Sequence, residues 1–342
     1  MDLLPTDEQQ HIADTAAEFL REQLPTSAIR EWREDPAPVP AATWKECAAL
    51  GLLGLSLPEE CGGAGAGLIE EALVFREIGR IPAPGPFLPT VLAARLAAAA
   101  GDRDLASTVA GGAMPVGLGM PRHPATLTPA ALDGPLDLLD ATVPGLVLVL
   151  GEDAAALVHT DALTAVTPVP PLDPGVRLAS AVADGSALVH HLPAEAEPLH
   201  LRGLVLAAAL LCGIAEGARD ASVGYAKTRE QFGRPIGVNQ AIKHRCADMA
   251  VAAEAAMAQA FFAAAALEAG RDDAEFQARS ALVVAAQAAR TGAAANVQIH
   301  GGIGYTYEHD AHLYVKRAEV WANALGSRGV HLDRLLRLAG PM

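Results

Sequence analysis

The sequence predicts a mainly α-helical protein with a small region of β-strands near its middle. In the first and last thirds of the 342 residues, Ala-rich stretches repeat apolar residues at the i, i+3 and i+4 spacing of amphipathic helices. Hydrophobic residues make up 51% of the chain but aromatic residues only 4%, a mixture that favours closely packed helices over a β-sandwich. From about Gly111, short apolar runs separated by Pro, Gly and Asp predict strands instead.

The first third predicts an all-helical region, residues 1–110. Thr6 and Gln9 fit a capping box, which begins an amphipathic helix that ends near Gln23. Further helices are predicted over 41–50, 68–80 and 89–100. The Gly-rich run 61–67 lacks the Gly-Lys-Ser/Thr ending of a phosphate-binding loop, so we expect a flexible connection there.

The rest of the chain predicts a reduced β-region, residues 111–199, followed by a helical bundle, residues 200–342. Strands of a small antiparallel unit are predicted over 115–118, 145–150, 155–159 and 187–191. Helices are predicted over 203–229, 238–268 and 273–299, with shorter pieces up to 338.

Charge and cysteine usage exclude several classes of protein. The formal net charge of −15 argues against nucleic acid and anionic membranes as partners. The four cysteines are widely spaced without a Cys-x-x-Cys pair, so neither a metal site nor a disulfide framework is indicated. The chain begins without the segments of a signal peptide, and no apolar run approaches the ~20 residues that cross a bilayer. We therefore expect a cytoplasmic protein.

The stretch from Gly224 to His244 joins two of the predicted long helices and contains an Arg-x-x-Phe-Gly turn. Arg229 offers a planar guanidinium suited to a pyrophosphate, and Phe232 offers a flat apolar face. Gly233 permits a sharp turn of the backbone. Taken alone, this motif is also typical of an ordinary turn between helices that carries a surface arginine.

A second motif, Gln-Ile-His-Gly-Gly-Ile-Gly-Tyr from Gln298 to Tyr305, follows in the next predicted helix and its end. Together the two motifs resemble the C-terminal helical domain of the acyl-CoA dehydrogenases, and the helix–strand–helix order of the whole chain is similar to that family. The resemblance implies a fold with an N-terminal helical domain, a small central β-domain, here reduced, and a C-terminal four-helix bundle.

The resemblance also implies an FAD cofactor, whose adenosine and pyrophosphate half lies against these motifs while its flavin ring lies in the neighbouring subunit. Carried over by position, the cofactor-binding residues are Arg229, Phe232, Gln240, Gln298, Gly301 and Gly302. The glycines allow the backbone to approach a phosphate closely, because they lack a Cβ atom.

The chain departs from the family at the catalytic base. The family places a Glu either before a Gly-Thr or Gly-Ser pair beyond the Gly-Gly motif or at the start of the first C-terminal helix. Here the first position is Leu325 and the second is Arg202, and Gly203 replaces an Arg that helps to hold CoA. Neither side chain can accept a proton as a general base must, so no catalytic residue is assigned to this chain.

Other acidic residues are interpreted as solvated charges on helix faces. These residues are Glu308, Asp310, Glu319 and Glu216, the last within a surface charge cluster. Basic residues near the two motifs are interpreted as solvent or subunit contacts, with CoA phosphates as the alternative. These residues are Lys243, His244, Arg245, Lys316 and Arg317.

The middle of the chain is the second departure. Family members carry Thr-Glu-Pro, Gly-Ser-Asp and Trp-Ile-Thr segments there, which bind the flavin ring and the substrate thioester. Residues 110–198 contain no Trp and neither of the other two segments. The chain is therefore expected to be unable to hold a flavin ring by itself.

A chain that keeps the motifs for the adenosine half of FAD but lacks the segments that bind the flavin ring is typical of a non-catalytic subunit in a heteromeric enzyme. The resemblance is to the β-type subunit of α2β2 acyl-CoA dehydrogenases of actinobacterial steroid degradation, whose catalytic subunit supplies the Glu and the flavin pocket. It implies an acyl-CoA substrate with a bulky acyl group such as a steroid, and electron-transfer flavoprotein as electron acceptor. Two alternatives stay open: a self-sufficient homo-oligomer with Glu308 or Glu319 as base, and a structural or regulatory subunit without flavin.

Overall fold

The computed structural model describes residues 4–338 except 142 and 144. The described residues pack into two compact units. Unit 1 combines 4–27, 72–83 and the chain from 204 onward, and unit 2 combines 28–71 and 84–203. The three-region division at 110/111 and 199/200 follows the order of elements along the chain and stays a prediction.

Twelve α-helices occur among the described residues, and the predicted long ones are present within a few residues of their expected bounds. They are α1 (Asp7–Gln23), α2 (Ala28–Glu31), α3 (Ala41–Ala49), α4 (Leu68–Arg80), α5 (Phe87–Ala99), α6 (Arg103–Ala110), α7 (Leu199–Thr228), α8 (Gln240–Glu268), α9 (Ala274–His300), α10 (Gly302–Tyr305), α11 (Ala311–Trp321) and α12 (Arg328–Arg337). The capping box that begins α1 is complete. The Gln9 N–H donates to Thr6 Oγ1 at 3.3 Å, and the Thr6 N–H donates to Gln9 Oε1 at 2.9 Å.

Glycines bring the backbones of α4 and α7 into direct contact in unit 1. A Cβ atom on Gly213 would lie 1.9 Å from the carbonyl oxygen of Arg76, and one on Gly79 would lie 1.9 Å from that of Leu210. Gly217 makes the same kind of approach to the carbonyl of Arg80. No other residue fits such distances, so the spacing of these glycines sets how closely the two helices pack.

Two helices of unit 1, α7 and α8, are long and apolar enough to cross a membrane by length and composition. The prediction that no stretch approaches this length is wrong, because it counted only uninterrupted apolar residues. The most apolar window of α7 is 94% buried inside the protein and that of α8 is 50% buried. The burial of α7 is that of a core helix, and the core helix of a protein can pass the same test of length and composition.

Unit 2 contains a seven-stranded sheet in the order β2-β3-β1-β4-β5-β7-β6, with an additional pairing of β3 to β7. The strands are β1 (Val116–Pro121), β2 (Thr126–Leu127), β3 (Ala131–Leu139), β4 (Leu146–Leu150), β5 (Ala154–His159), β6 (Leu163–Val169) and β7 (Leu178–Pro193). The expectation of a purely antiparallel unit is wrong at one place, since β1 and β4 pair in parallel. The sequence also failed to predict β2, β3 and β6.

The β3–β7 pairing closes five strands into a ring whose interior is filled by small and branched apolar side chains. Leu136, Val147 and Val158 are fully buried there, and Ala179 and Ala181 of β7 fit between them. The region is therefore a packed barrel core.

The Gly-rich run is a hydrogen-bonded turn. The N–H of Gly63 donates to the carbonyl of Pro58, and that of Gly65 donates to the carbonyl of Leu57. These amides donate within the turn, so neither is available to a phosphate. The backbone folds back on itself here, and a Cβ atom on Gly63 would lie 2.2 Å from the Leu57 carbonyl oxygen. The flexibility of this connection stays a prediction.

Candidate functional site

An open cavity of about 290 Å³ lies in unit 1, where the C-terminal ends of α7 and α9 meet. Three of the residues predicted from the two motifs line it: Arg229, Gly301 and Gly302. The other lining residues are Tyr225, Gln231, Ile236, Ile299, His300 and Ile303. The structure therefore brings the Arg-x-x-Phe-Gly turn and the Gly-Gly motif, which are about seventy residues apart in sequence, to one place.

A tight hairpin fixes the backbone of Arg229. The two short strands β8 (Glu230–Gln231) and β9 (Arg234–Pro235) are joined by Phe232 and Gly233, whose φ angles are +53° and +76°. Positive φ at both central residues is the geometry of a two-residue hairpin turn whose twist matches its strands. The Arg229 carbonyl accepts a hydrogen bond from the N–H of Ile236 at 2.8 Å, which closes the hairpin.

The end of α9 supplies the opposite wall. Gly301 adopts φ +66° and ψ −145°, a conformation that is essentially restricted to glycine. Its N–H donates to the carbonyl of Val297 at 3.1 Å, so this amide is not available to a ligand. A Cβ atom on either Gly301 or Gly302 would meet nothing within 4 Å, so both backbones border open space that a bound group can approach.

Two aromatic rings that the sequence did not single out, those of Tyr225 and His300, line this cavity, and a third, that of His309, packs against His300. The ring centroids of Tyr225 and His300 are 4.2 Å apart in a stacked arrangement, and those of His300 and His309 are 4.3 Å apart. Burial lowers the pKa of His300; the nearby His309 lowers it further, and the hydrogen bond to the Asn296 backbone acts in the opposite direction. The position of His300 directly before Gly-Gly is the one signal that points to it in sequence.

The other predicted cofactor residues do not line the cavity. Phe232 lies at the tip of the hairpin with its side chain 100% exposed. Gln240 is exposed at the first residue of α8, where its Nε2 lies 3.5 Å from Nε2 of His244. Gln298 is exposed on the last turn of α9. These three side chains are free to contact a second chain or a ligand that extends beyond the cavity, and their cofactor roles stay predictions.

The position of the alternative catalytic base lies in unit 2 and holds a buried ion pair. The Arg202 guanidinium donates to Glu71 Oε2 through Nε at 3.0 Å and through Nη2 at 2.7 Å. Glu71 Oε1 accepts a hydrogen bond from Ser56 Oγ at 2.9 Å. The side chains of Arg202 and Glu71 are only 7% and 3% exposed. Both carboxylate oxygens of Glu71 therefore already accept hydrogen bonds, one from Arg202 and the other from Ser56.

The other base position, Leu325, is buried in unit 1 and is followed by Gly326 with φ +114°. Ser327 then begins α12 as its N-cap and accepts the N–H of Val330. This segment is a helix start with an apolar side chain in front of it. It contains no proton acceptor of the kind that the family's reaction requires.

The interpretation of the remaining acids as solvated charges is wrong for Glu216. Its carboxylate is buried and accepts from Nε of Arg76 at 2.8 Å. Glu319 is half-exposed and receives two hydrogen bonds from Arg290, at 3.0 and 2.8 Å. Glu308 is exposed and Asp310 is partly exposed, in the segment between α10 and α11. None of the four lines the cavity described above.

The basic residues near the two motifs also divide into exposed residues, as expected, and one that is buried. Lys243, His244 and Arg245 are exposed in the first turns of α8, as expected. The ammonium group of Lys316 lies 4.9 Å from the centre of the Tyr307 ring. Arg317 contradicts the expectation of solvent or subunit contact, because it is buried and donates to the carbonyl of Ala83 at 2.5 Å.

The described part of the chain contains no group of three or more His, Cys, Asp or Glu side chains that could hold a metal ion. The cysteines are reduced: Cys47, Cys61 and Cys212 are buried, and Cys246 is partly exposed. Burial raises the pKa of Cys47 to about 12, so this thiol is inert as a nucleophile.

Comparison with known proteins places this geometry in a family. The sequence model of the acyl-CoA dehydrogenase N-terminal domain matches residues 6–107, and that of the C-terminal domain matches residues 199–339. The acyl-CoA dehydrogenase IpdE2 of Mycobacterium tuberculosis (strain ATCC 25618 / H37Rv) is 34% identical over 337 residues, which cover 97% of this chain and 98% of IpdE2. The chain belongs to the acyl-CoA dehydrogenase family. The predicted family, the mainly α fold and the oxidoreductase class are thereby confirmed.

Two solved structures have the same fold as this chain. A variant of the Tcur3481–Tcur3483 steroid acyl-CoA dehydrogenase is 26% identical and superposes with a TM-score of 0.84 over 97% of each chain. The ChsE4–ChsE5 complex from Mycobacterium tuberculosis is 24% identical, with a TM-score of 0.85 over 98% of each chain. At 24% identity, the similarity to the ChsE4–ChsE5 complex shows only that the fold is shared.

The residues that line the cavity are chemically compatible with a phosphate group of the FAD that members of this family bind. Arg229 provides a cation, and Gly301 and Gly302 provide a wall without side chains. In unit 1 of the described chain the site is an open surface feature, and the lining residues offer no pocket in which a flavin ring is enclosed. That these residues bind one end of the cofactor stays a prediction.

Proposed function

We propose that this chain is a non-catalytic subunit of a heteromeric, flavin-dependent acyl-CoA dehydrogenase and that it contributes the pyrophosphate side of a shared FAD site. The observation that supports this proposal most strongly is the contrast between two places. The alternative base position is a buried Arg202–Glu71 pair, whereas Arg229, Gly301 and Gly302 line an open cavity. A chain built in this way binds one end of a cofactor and leaves proton abstraction to its partner.

The role of this chain is binding and orientation. The Arg229 guanidinium would donate charge-assisted hydrogen bonds to phosphate oxygens, and the glycine wall would let them approach the backbone. Phe232, Gln240 and Gln298 would contact the remaining adenosine end or the partner chain. Bound flavin would supply the acceptor for the hydride that leaves the β-carbon of the acyl-CoA.

The partner would be a catalytic acyl-CoA dehydrogenase subunit in an α2β2 assembly, with electron-transfer flavoprotein as the electron acceptor. The Tcur3481–Tcur3483 and ChsE4–ChsE5 structures each pair two gene products, and the former is a steroid acyl-CoA dehydrogenase. We extend to this chain a cytoplasmic location and a large acyl-CoA substrate such as a steroid thioester. A complex that preferred short straight-chain acyl-CoAs in a substrate series would contradict this choice of substrate.

The test is the flavin content per chain, measured by absorbance after purification of the protein alone and after co-expression with a candidate partner. We expect no flavin on the chain alone and about one FAD per pair of unlike chains in the complex. A full complement of FAD on the chain alone would overturn the shared-site proposal.

A pair of arginine substitutions in one hairpin locates the contact. Arg229→Gln is expected to weaken FAD binding by the co-expressed complex by about 2 kcal/mol, close to thirtyfold in Kd, because a charged hydrogen bond is lost. Arg234→Gln is the matched control, since Arg234 is exposed in the same hairpin but does not line the cavity. Equal FAD affinities for the two variants would argue against the assigned position of the pyrophosphate.

A further inference from the structure

A second cavity of unit 1, of about 480 Å³, lies where α1, the C-terminal end of α4, α7 and α11 come together. Each of the four helices contributes at least one polar side chain to its wall. These side chains are Arg21, Glu77, Arg80, Asp220 and Tyr314. None of them lines the cavity at the two sequence motifs, so the function proposed above leaves this cavity without a role.

Two of the polar side chains are already engaged within the fold. Asp220 Oδ2 accepts a hydrogen bond from Nη2 of Arg80 at 2.6 Å, and its Oδ1 accepts one from Nε of Arg219 at 2.8 Å. The Tyr314 hydroxyl donates to the backbone carbonyl of Arg80 at 3.1 Å. The capacity to bind a ligand therefore rests on the other polar groups of the wall.

Glu77 is a nearly buried carboxylate whose capacity to accept hydrogen bonds is unused. Its side chain is 6% exposed, and its Oε1 lies 3.5 Å from Nη1 of Arg76 and 3.8 Å from Nη1 of Arg80. Neither oxygen accepts a hydrogen bond from the described residues, and neither is among the unpaired polar atoms that are sealed from solvent. Burial raises the pKa of Glu77, although the nearby arginines act against this effect. A carboxylate in this state is stabilised by any donor that enters the cavity.

Arg21 is the second group with unused capacity. It is exposed on the last turn of α1, and its side chain forms no hydrogen bond or ion pair within the described part of the chain. Its guanidinium is near enough to lower the pKa of Glu77, but the two groups do not make direct contact. The cavity wall thus carries a cation and a carboxylate that are separated from each other.

The charges around the cavity indicate which ligand would fill this gap. Three guanidiniums, of Arg76, Arg80 and Arg219, are balanced by three carboxylates, of Glu77, Glu216 and Asp220. Arg21 adds one positive charge without a counterion, and a ligand with a single carboxylate would balance it.

The group that meets Glu77 must donate a hydrogen bond. An ammonium group would meet the guanidiniums of Arg21, Arg76 and Arg80, which all act on Glu77 and would repel a further cation at short range. A hydroxyl group carries no charge and donates equally well. The surroundings of Glu77 therefore favour a hydroxyl donor.

We propose that this cavity binds a small hydroxy acid, whose carboxylate pairs with Arg21 and whose hydroxyl donates a hydrogen bond to Glu77. The apolar lining residues Ala17, Ile81 and Ala221 provide the surface on which its carbon chain packs. The proposal goes beyond the proposed function, because it involves neither of the two sequence motifs and does not depend on FAD.

Three acids that differ only in the substituent next to the carboxylate test the proposal: 2-hydroxybutyrate, butyrate and 2-aminobutyrate. Their dissociation constants for the full-length chain are measured by saturation-transfer NMR titrations at neutral pH. We expect 2-hydroxybutyrate to bind about tenfold more tightly than butyrate, because it gains a hydrogen bond to a charged acceptor. It should also bind more tightly than 2-aminobutyrate, since the ammonium group is repelled by the arginines.

Two variants assign the contacts to their residues. Glu77→Gln keeps the shape of the side chain but removes its charge, so the advantage of 2-hydroxybutyrate over butyrate should fall to about twofold. Arg21→Gln should weaken the binding of both acids about tenfold, because both depend on the carboxylate contact. Arg328→Gln is the matched control: it removes the same charge from an exposed position of α12 outside the cavity and should leave both dissociation constants unchanged.

The variants are expected to fold. In Glu77→Gln, Arg76 keeps its ion pair with Glu216 and Arg80 keeps its ion pair with Asp220. Arg21 is exposed, so its substitution should leave denaturant unfolding nearly unchanged. Unfolding curves of the variants check both expectations before the titrations.

The proposal is overturned if the wild-type chain binds none of the three acids, or if butyrate or 2-aminobutyrate binds as tightly as 2-hydroxybutyrate. Equal affinities of Arg21→Gln and Arg328→Gln for 2-hydroxybutyrate would also overturn it. The flavin content of the co-expressed complex should be the same with Arg21→Gln as with the wild-type chain. The two proposals can therefore fail independently of each other.

Discussion

One arginine stands at the family's alternative base position and another in its cofactor-binding motif, and their surroundings are opposite in burial and pairing. Arg202, in unit 2, is buried, and its guanidinium donates two hydrogen bonds to the Glu71 carboxylate. Arg229, in unit 1, is exposed at the rim of a cavity, and none of the ion pairs found in the described chain includes it. Arg202 is therefore held in an internal ion pair, whereas Arg229 is accessible to a ligand.

The difference follows from the cost of burying charge. A buried guanidinium must keep its partner, because removal of either group leaves an isolated charge in a medium of low dielectric constant. A substrate carbonyl or a proton therefore has no access to Glu71 without large disruption. An exposed guanidinium is already solvated, so exchanging water for phosphate oxygens costs little. The contrast separates a guanidinium that stabilises the fold from one that a ligand can reach.

The largest expected effect is on the buried pair. Glu71→Gln should lower the free energy of unfolding by about 3–5 kcal/mol, because Arg202 is left buried without a countercharge. Denaturant unfolding at neutral pH measures this loss. Arg229→Gln should leave the unfolding free energy nearly unchanged, which gives the same substitution in the open site as a direct comparison.

The double variant Glu71→Gln with Arg202→Met serves as its control. It removes both charges and should recover most of the stability that the single change costs. If Glu71→Gln alone unfolded at the same denaturant concentration as the wild type, the claim that this position is locked by a buried pair would be wrong.

A second prediction concerns the scaffold that carries the open site. Gly213→Ala should cost about 3 kcal/mol of unfolding free energy, because its Cβ would lie 1.9 Å from the Arg76 carbonyl oxygen and force α4 and α7 apart. Gly224→Ala on the same helix is the matched control: nothing lies within 4 Å of its Cβ, and it should stabilise the protein by roughly 0.5–1 kcal/mol. Similar unfolding curves for both variants would contradict a close contact of the two backbones.

The smallest expected effect is the pH dependence that His300 contributes. Its pKa in the folded protein is lowered, chiefly by burial, below the ordinary value of 6.5. The folded state therefore disfavours the protonated ring. The stabilisation is fully present above pH 6.5 and is lost as the pH falls from there through the lowered pKa of the folded state. The free energy of unfolding, measured by denaturant at several pH values in this range, should change less with pH for His300→Gln than for the wild type. An identical pH dependence of the two proteins would contradict this contribution of His300.

Much of the scaffold is readable from sequence because its signals are local. The capping box at Thr6 and Gln9, the Ala-rich periodicity of α7 to α9 and the turn chemistry around Gly233 each depend on a few neighbouring residues. The strands β3 and β6 were not predicted, because their pairing with β7 is a long-range property and their sequences alternate weakly. The parallel pairing of β1 with β4 has no local signal at all.

The candidate site divides in the same manner. The two motifs predicted Arg229, Gly301 and Gly302, since an arginine and a Gly-Gly pair have recognisable chemistry at fixed spacing. The ring contact between Tyr225, His300 and His309 was not predicted, because it joins three separate segments. The burial of Glu216 and Arg317 was also missed, since a charged residue on a helix is normally solvated and only its packing shows otherwise.

The sequence by itself determined the helical periodicity, the family and the absence of a carboxylate at both base positions, because residue identity alone decides what a side chain can donate or accept. Tertiary structure decided which charges are available. It paired Arg202 with Glu71 in the interior, left Arg229 at an open cavity and placed Nδ1 of His300 at hydrogen-bond distance from the carbonyl oxygen of Asn296. Burial and hydrogen bonding set the reactivity of a group, and both arise only when distant segments pack together.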